Sequence, residues 1–180
     1  MEELEDPTEK LKEIQEEIEE NEKKENWTLL VALSTAIISV LAAITGLFAN
    51  HHANEALIEQ IASSDKWAQY QSKAIKLDIE KSTISILSAM GKPVEQENKQ
   101  KVEKYEADKK EIKEEATEKE NASKHHLRIH IVLARAITIF QVAIAISAIA
   151  IITRKKLMWY ASIVLTLIGI YFMITGFLTL

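Results

Sequence analysis

Apolar residues are concentrated in three long runs and, between the first and second of these, fall at helical spacing among charged residues. From Trp27 to Ala49 no side chain is charged. At about 1.5 Å per residue, a helix of that length crosses a hydrocarbon core about 30 Å thick. Ile131 to Thr153, with Arg135 as its one charge, and Leu157 to Leu180 are two further runs, separated only by Arg154, Lys155 and Lys156. Three membrane-spanning helices are predicted, the last two as antiparallel neighbours. The residues before Trp27 are strongly acidic, whereas a cleaved signal peptide needs a basic start.

Residues 53–90 and 94–130 are of nearly equal length and flank Gly91, Lys92 and Pro93. Gly suits the left-handed position that ends a helix and Pro the first turn of the next. The pattern predicts two antiparallel arms, each about 55 Å long if fully helical, with Ser63, Ser64 and Asp65 as a capping cluster able to break the first. In the second arm a three-four spacing links Val102, Tyr105, Lys109, Ile112, Ala116, Lys119, Ser123, His126, His130, Leu133, Ile137 and Phe140, so one stripe runs on into the second span. The first arm has two stripes: Trp67, Tyr70, Ala74, Leu77, Ile84 and Leu87, and Leu57, Ile61, Ala68, Gln71, Ile75 and Ile79. Two apolar faces need two partners. The second arm is one; one wide face within a single hairpin competes with a sister subunit as the other, and the sister subunit is the expectation.

With 4 Gly and 2 Pro the chain has few points at which helix is punctuated, so an all-α fold follows. The absence of cysteine excludes disulfides, thiolate metal sites and cysteine nucleophiles. Residues 1–26 carry an acidic excess and residues 50–130 are nearly balanced, so there is no basic footprint for nucleic acid. Asp6, Pro7, Thr8 and Glu9 resemble a helix start, and Leu4, Leu11, Ile14 and Ile18 fall on coiled-coil positions of the tail. A short helix and a solvated acidic tail both fit that composition. The predicted organisation is an acidic tail (1–26), a first transmembrane helix (27–49), a coiled-coil-like antiparallel hairpin outside the bilayer with its turn at 91–93 (50–130), and transmembrane helices at 131–153 and 157–180.

The stretch Asp65, Lys66, Trp67, Ala68, Gln69, Tyr70, Gln71, Ser72, Lys73, Ala74, Ile75, Lys76 resembles the signature of domain of unknown function 4337, a family of bacterial membrane proteins. That family typically reads Trp-Ala-x-Tyr-Gln-Ala-Lys-Ser-Ile-Lys, so Ser72 and Ala74 are interchanged here. One early span, a charged middle and two closely spaced later spans are also similar. The resemblance implies a membrane protein with no assigned activity and carries over no catalytic residue. By helical spacing Trp67, Tyr70, Gln71 and Ala74 adjoin on one face with Lys73 and Lys76 beside them. A packing junction and an anionic-ligand face both fit.

The five histidines fall in two places, His51 and His52 after the first span and His125, His126 and His130 before the second, which an antiparallel hairpin brings together. His51, Glu55, His126 and His130 then form a candidate divalent-metal set. A proton-sensitive cluster and plain interfacial polar residues are the alternatives. The spans hold no Asp or Glu, which argues against an ion-coupled transporter. Gln141 is their strongly polar residue at depth and a candidate pore residue. Ala32, Ala36, Ser39, Ala43 and Gly46 in the first span, and Ser162, Thr166, Gly169 and Gly176 in the third, suit close helix packing.

The turn at Arg154, Lys155 and Lys156 marks a cytoplasmic side by the positive-inside rule, whereas Lys124, Arg128 and Arg135 pull the other way. The expectation is an inner-membrane, multi-pass protein with its N-terminus cytoplasmic and its hairpin outside. No motif for an enzyme is present and no cofactor is implied. Two functions fit: a homo-oligomeric scaffold or interaction protein, and an oligomeric channel or small-solute transport component gated near the histidines.

Overall fold

The computed structural model describes the backbone of residues 7–178 and the side chains of residues 11, 12 and 15–178. Its elements are three α-helices: α1 (Pro7–Ala89), α2 (Gln96–Thr153) and α3 (Lys156–Leu178). Each contains a stretch long and apolar enough to cross a membrane. The helices are long because little in the sequence stops them. Apart from Pro7 at its first position and Gly46, α1 has no proline or glycine, and α2 has neither. The 83 residues of α1 make about 125 Å of helix, so a hydrocarbon core about 30 Å thick would cover only part of it. Leu4 and the expected Asp6 cap lie outside the described residues, as do the side chains of Thr8, Glu9 and Ile14. Leu11 and Ile18 are exposed.

The expected break at Ser63, Ser64 and Asp65 does not occur. Ser63 Oγ donates to the Ala116 carbonyl at 3.0 Å and Ser64 Oγ to the Gln60 carbonyl at 2.9 Å, so neither hydroxyl competes for backbone amides ahead of it as a capping side chain would. The helix does end where Gly91 predicts. Gly91 takes φ 68, its amide donates to the Ser88 carbonyl at 3.1 Å, and the Lys92 amide donates to the Leu87 carbonyl at 3.0 Å. This paired closure satisfies the carbonyls left open in the last turn. Pro93 does not start α2, which begins at Gln96, with Asn98 donating its amide to the Glu95 carbonyl at 3.1 Å. Between α2 and α3, Arg154 takes φ 54, a left-handed conformation that costs a non-glycine residue about 1–2 kcal/mol.

The chain forms two compact units, each described by itself: Met1–Phe48 with Val132–Leu180, and Ala49–Ile131. The core of the first joins Ile38 of α1 to Ala136, Phe140 and Ala143 of α2, with Leu165, Ile170, Phe172 and Met173 of α3 packed against them. On α3 the small residues Ser162, Thr166, Gly169 and Gly176 are the buried ones. Ser147 and Ser162 share a hydrogen bond at 2.7 Å, and Trp159 Nε1 donates to Ser34 Oγ at 3.1 Å. On α1 the small-residue face does not pack within the chain. Ala32, Ala36, Ser39 and Ala43 are exposed, while Val31, Ile38 and Thr45, seven apart, are buried. The small residues of α3 are turned to α2 instead, with Gly169 against Phe140, Gly176 against Leu133 and Ser162 against Ser147.

In the second unit the buried α1 residues Ala49, Ala56, Ser63 and Leu77 keep the same seven-residue interval, the mark of helices wound to keep one seam in contact. Facing them on α2 are Ala116, Ser123 and Ile129. Ser63 donates to Ala116 and Ser123 to the Ala56 carbonyl at 2.7 Å, a reciprocal pair that needs a small residue on each side. Ion pairs join Glu59 to Lys119 (3.1 Å), Lys66 to Glu115, Lys73 to Asp108 (2.5 Å) and Lys81 to Glu106 (2.7 Å). The α2 number falls as the α1 number rises, so the two segments run in opposite directions along their contact. Pairs this open to water contribute little individually; they select register more than they add stability.

A Cβ on Gly169 would stand 2.6 Å from Phe140 Cε1, a ring that is fully buried, whereas one on Gly46 meets nothing within 4 Å. Gly169→Ala is expected to destabilise the detergent-solubilised protein by about 1–3 kcal/mol through overpacking, and Gly46→Ala to leave it unchanged or slightly stabilised. Thermal unfolding followed by helical circular dichroism checks both; equal midpoints for the two variants would contradict this packing.

Candidate functional site

The second unit gathers all five histidines, because His51 and His52 on α1 lie opposite His125, His126 and His130 on α2. The contact partner within the cluster is His52, which is only 3% exposed. Its Nδ1 lies 3.0 Å from His126 Nδ1, with the rings stacked at 5.2 Å and 26°. His51 and His125 flank the pair edge-on, at 5.3 Å from His52 and 6.0 Å from His126. One Nδ1 must donate and the other accept, so the two imidazoles hold opposite tautomers. A pair protonated on both rings would set N–H against N–H. His130 turns away, its Nδ1–H donating to the Ala49 carbonyl at 2.9 Å.

Burial chiefly pushes the His52 pKa down, helped by His126, His51 and His125 and opposed by the Glu55 carboxylate. This arrangement favours a neutral His52. It does not assemble the expected metal set of His51, Glu55, His126 and His130. Among the described residues no three His, Cys, Asp or Glu side chains are placed to hold a metal ion. The seven-residue seam explains why: it turns His52 inward and leaves His51 exposed. The signal that could have found His52 is its place in the series Val31, Ile38, Thr45, His52.

Further along the unit, the signature residues form a reciprocal clamp. Lys73 Nζ sits 5.3 Å from the Tyr105 ring centre and Lys109 Nζ 5.3 Å from that of Tyr70, so each helix contributes one tyrosine and one lysine. Trp67 meets Tyr70 edge-on at 5.4 Å. Asp108 takes the Lys73 ammonium, whose hydrogen bond holds that carboxyl below its ordinary value. Trp67, Tyr70, Lys73 and Ala74 are half-buried in this contact, whereas Gln71 and Lys76 are exposed and face away from it. The structure thus splits the expected Trp67, Tyr70, Gln71, Lys73, Lys76 face. The packing role falls to the inward residues, with Lys73 engaged by Asp108. In the first unit Gln141 is exposed on α2.

The family model described as Domain of unknown function (DUF4337) matches residues 27–179. The chain belongs to this family. The match takes in both units. No curated protein and no solved structure matches the chain.

A histidine with a lowered pKa resists protonation when folded but takes a proton near pH 6.5 when unfolded. Stability is therefore full above that pH and declines as pH falls toward the lowered value. The unfolding midpoint is expected to drop between about pH 8 and about pH 5.5, and His52→Asn, which cannot titrate, to flatten that drop. Thermal scans at several pH values test it; identical slopes for the two proteins would remove His52 as the cause.

Proposed function

We propose that the chain is a multi-pass membrane protein that self-associates and serves as a scaffold or interaction protein, presenting residues 50–130 as an antiparallel coiled-coil hairpin outside the bilayer. The observation that carries this reading is the outer face of α1 in the second unit. Leu57, Ile58, Ile61, Ile75, Ile79 and Ile86 are each between 54% and 61% exposed, in a segment too charged to sit in lipid. An aliphatic row of this kind in contact with water is a docking surface. A second copy fits it well, since a helical face repeated in an identical chain meets itself across a two-fold axis.

Gln141 supports the same reading from the first unit. It is exposed on a stretch read as a span, where an amide facing lipid is unfavourable and one facing a neighbouring helix is satisfied. The same residue favours the second reading, a channel, because one polar side chain per subunit repeated by symmetry can line a pore. Nothing in either reading requires a catalytic step. The basic turn at Arg154, Lys155 and Lys156 supports a cytoplasmic N-terminus in an inner membrane.

Ile61→Glu with Ile75→Glu is expected to reduce the detergent-solubilised oligomer to smaller species in size-exclusion light scattering while helix content is kept; an unchanged mass would end the self-association reading. In liposomes the scaffold reading expects no ion flux. Conductance that changes with Gln141→Leu would replace it with the channel. Because the chain has no cysteine, one introduced at Ser88 reports sidedness alone. It is expected to react with an impermeant maleimide from outside intact cells, and labelling only after permeabilisation would invert the topology.

A further inference from the structure

In the first unit a cavity of about 610 Å³ is lined by α1 residues from Glu20 to Thr28 and by Arg154 and Lys156 at the junction of α2 and α3. That volume is typical of a small-ligand site. Its charges are unevenly satisfied. Lys24 is bound to Glu20 at 2.9 Å and Lys23 to Glu19 at 3.2 Å, whereas Arg154 and Lys156 have no ion pair among the described residues. Glu25 is the one acidic lining residue left unpaired among them, so the balance at the cavity is positive. Lys156 is also the first residue of α3, where open backbone amides favour an anion.

Trp27 supplies the independent observation. It lines the same cavity, and its Nε1 is buried with no hydrogen-bond partner. A buried N–H left unmade is costly, and none of the cavity's own carboxylates reaches it. We propose that this cavity binds a phosphate group, with Arg154 and Lys156 balancing its charge and Trp27 Nε1–H donating to one of its oxygens. A phosphodiester fits on size, donors and charge. In the membrane reading, on which the lipid source rests, Trp27 begins one span and Arg154 to Lys156 separate the other two, so the phosphate is that of an anionic phospholipid headgroup. A free phosphate ion offers the same chemistry and is the other source.

The test uses the full-length chain, delipidated in detergent, with bound molecules counted by native mass spectrometry as phosphatidylglycerol, phosphatidylcholine or inorganic phosphate is titrated in. Wild type is expected to retain phosphatidylglycerol in preference to phosphatidylcholine. Arg154→Ala with Lys156→Ala should weaken that binding about tenfold or more, and Trp27→Phe, which removes only the N–H and the ring it belongs to, severalfold. Lys110→Ala with Lys113→Ala, which removes equal charge from the other unit, should have no effect. Matching thermal midpoints establish that each variant is folded. Saturable inorganic phosphate binding lost in the same variants assigns the site to free phosphate. Binding that is the same in all variants, or lost equally in the Lys110 and Lys113 control, overturns the proposal. Flotation with liposomes separates the two failures: a chain that does not float loses the membrane reading, and one that floats without these differences loses only the site.

Discussion

Two helices pack only as closely as the side chains between them allow, and in both units that distance is set by residues with almost no side chain. Gly169 lies against the Phe140 ring and Gly176 against Leu133, so tightly that neither place admits a methyl group without movement. In the second unit Ala56 and Ser63 face Ser123 and Ala116, close enough for each serine to reach the other helix's carbonyl. Such contact gains dispersion energy atom by atom and hydroxyl bonds that a larger residue would prevent. It also fixes where bulk can go. Leu57, Ile61, Ile75 and Ile79 fall out of phase with the seam positions Ala56, Ser63 and Leu77 and stand exposed on its outer side.

The polar contacts act on this frame as selectors. Each salt bridge across the second unit is at least partly hydrated and weak by itself. Shifting the register would break several at once and also separate Lys73 from Tyr105 and Lys109 from Tyr70. The His52–His126 contact adds a different kind of selection. Its hydrogen bond exists only while one Nδ1 remains without a proton, so the part of the seam between Ala49 and Ala56 is sensitive to acid in a way the aliphatic part is not.

Much of this was legible in the sequence where one residue type has one physical use. All twelve members of the three-four series from Val102 to Phe140 are buried or half-buried, because a helix with no glycine or proline has no means of changing face. Gly91 was legible because a left-handed helix end has a strong residue preference. The misreadings occur where a residue has several uses. Ser63 resembles a cap and is an interhelical donor. The small face of the first span resembles a packing surface, yet within one chain Val31, Ile38 and Thr45 take that place. Among adjacent histidines, phase alone decides which turns inward. Their places at the two ends of the hairpin predicted a cluster, and only the heptad register distinguishes His52 from His51.

The two turns pose the same geometric problem and solve it differently. At the end of α1 the left-handed residue is Gly91, at φ 68, where the absence of Cβ removes the strain. At the end of α2 it is Arg154, at φ 54, although glycine would take that conformation without the roughly 1–2 kcal/mol penalty. Strain of this kind persists where the side chain serves a purpose that a glycine cannot. Closing the turn is not that purpose, since glycine closes the other one. What arginine adds is a permanent positive charge with a fork of donors, at a cavity also lined by Lys156 and by Trp27, whose indole N–H has no acceptor of its own. The strained residue, Lys156 and the unpaired donor all line one cavity, and an anion is the partner that accounts for all three.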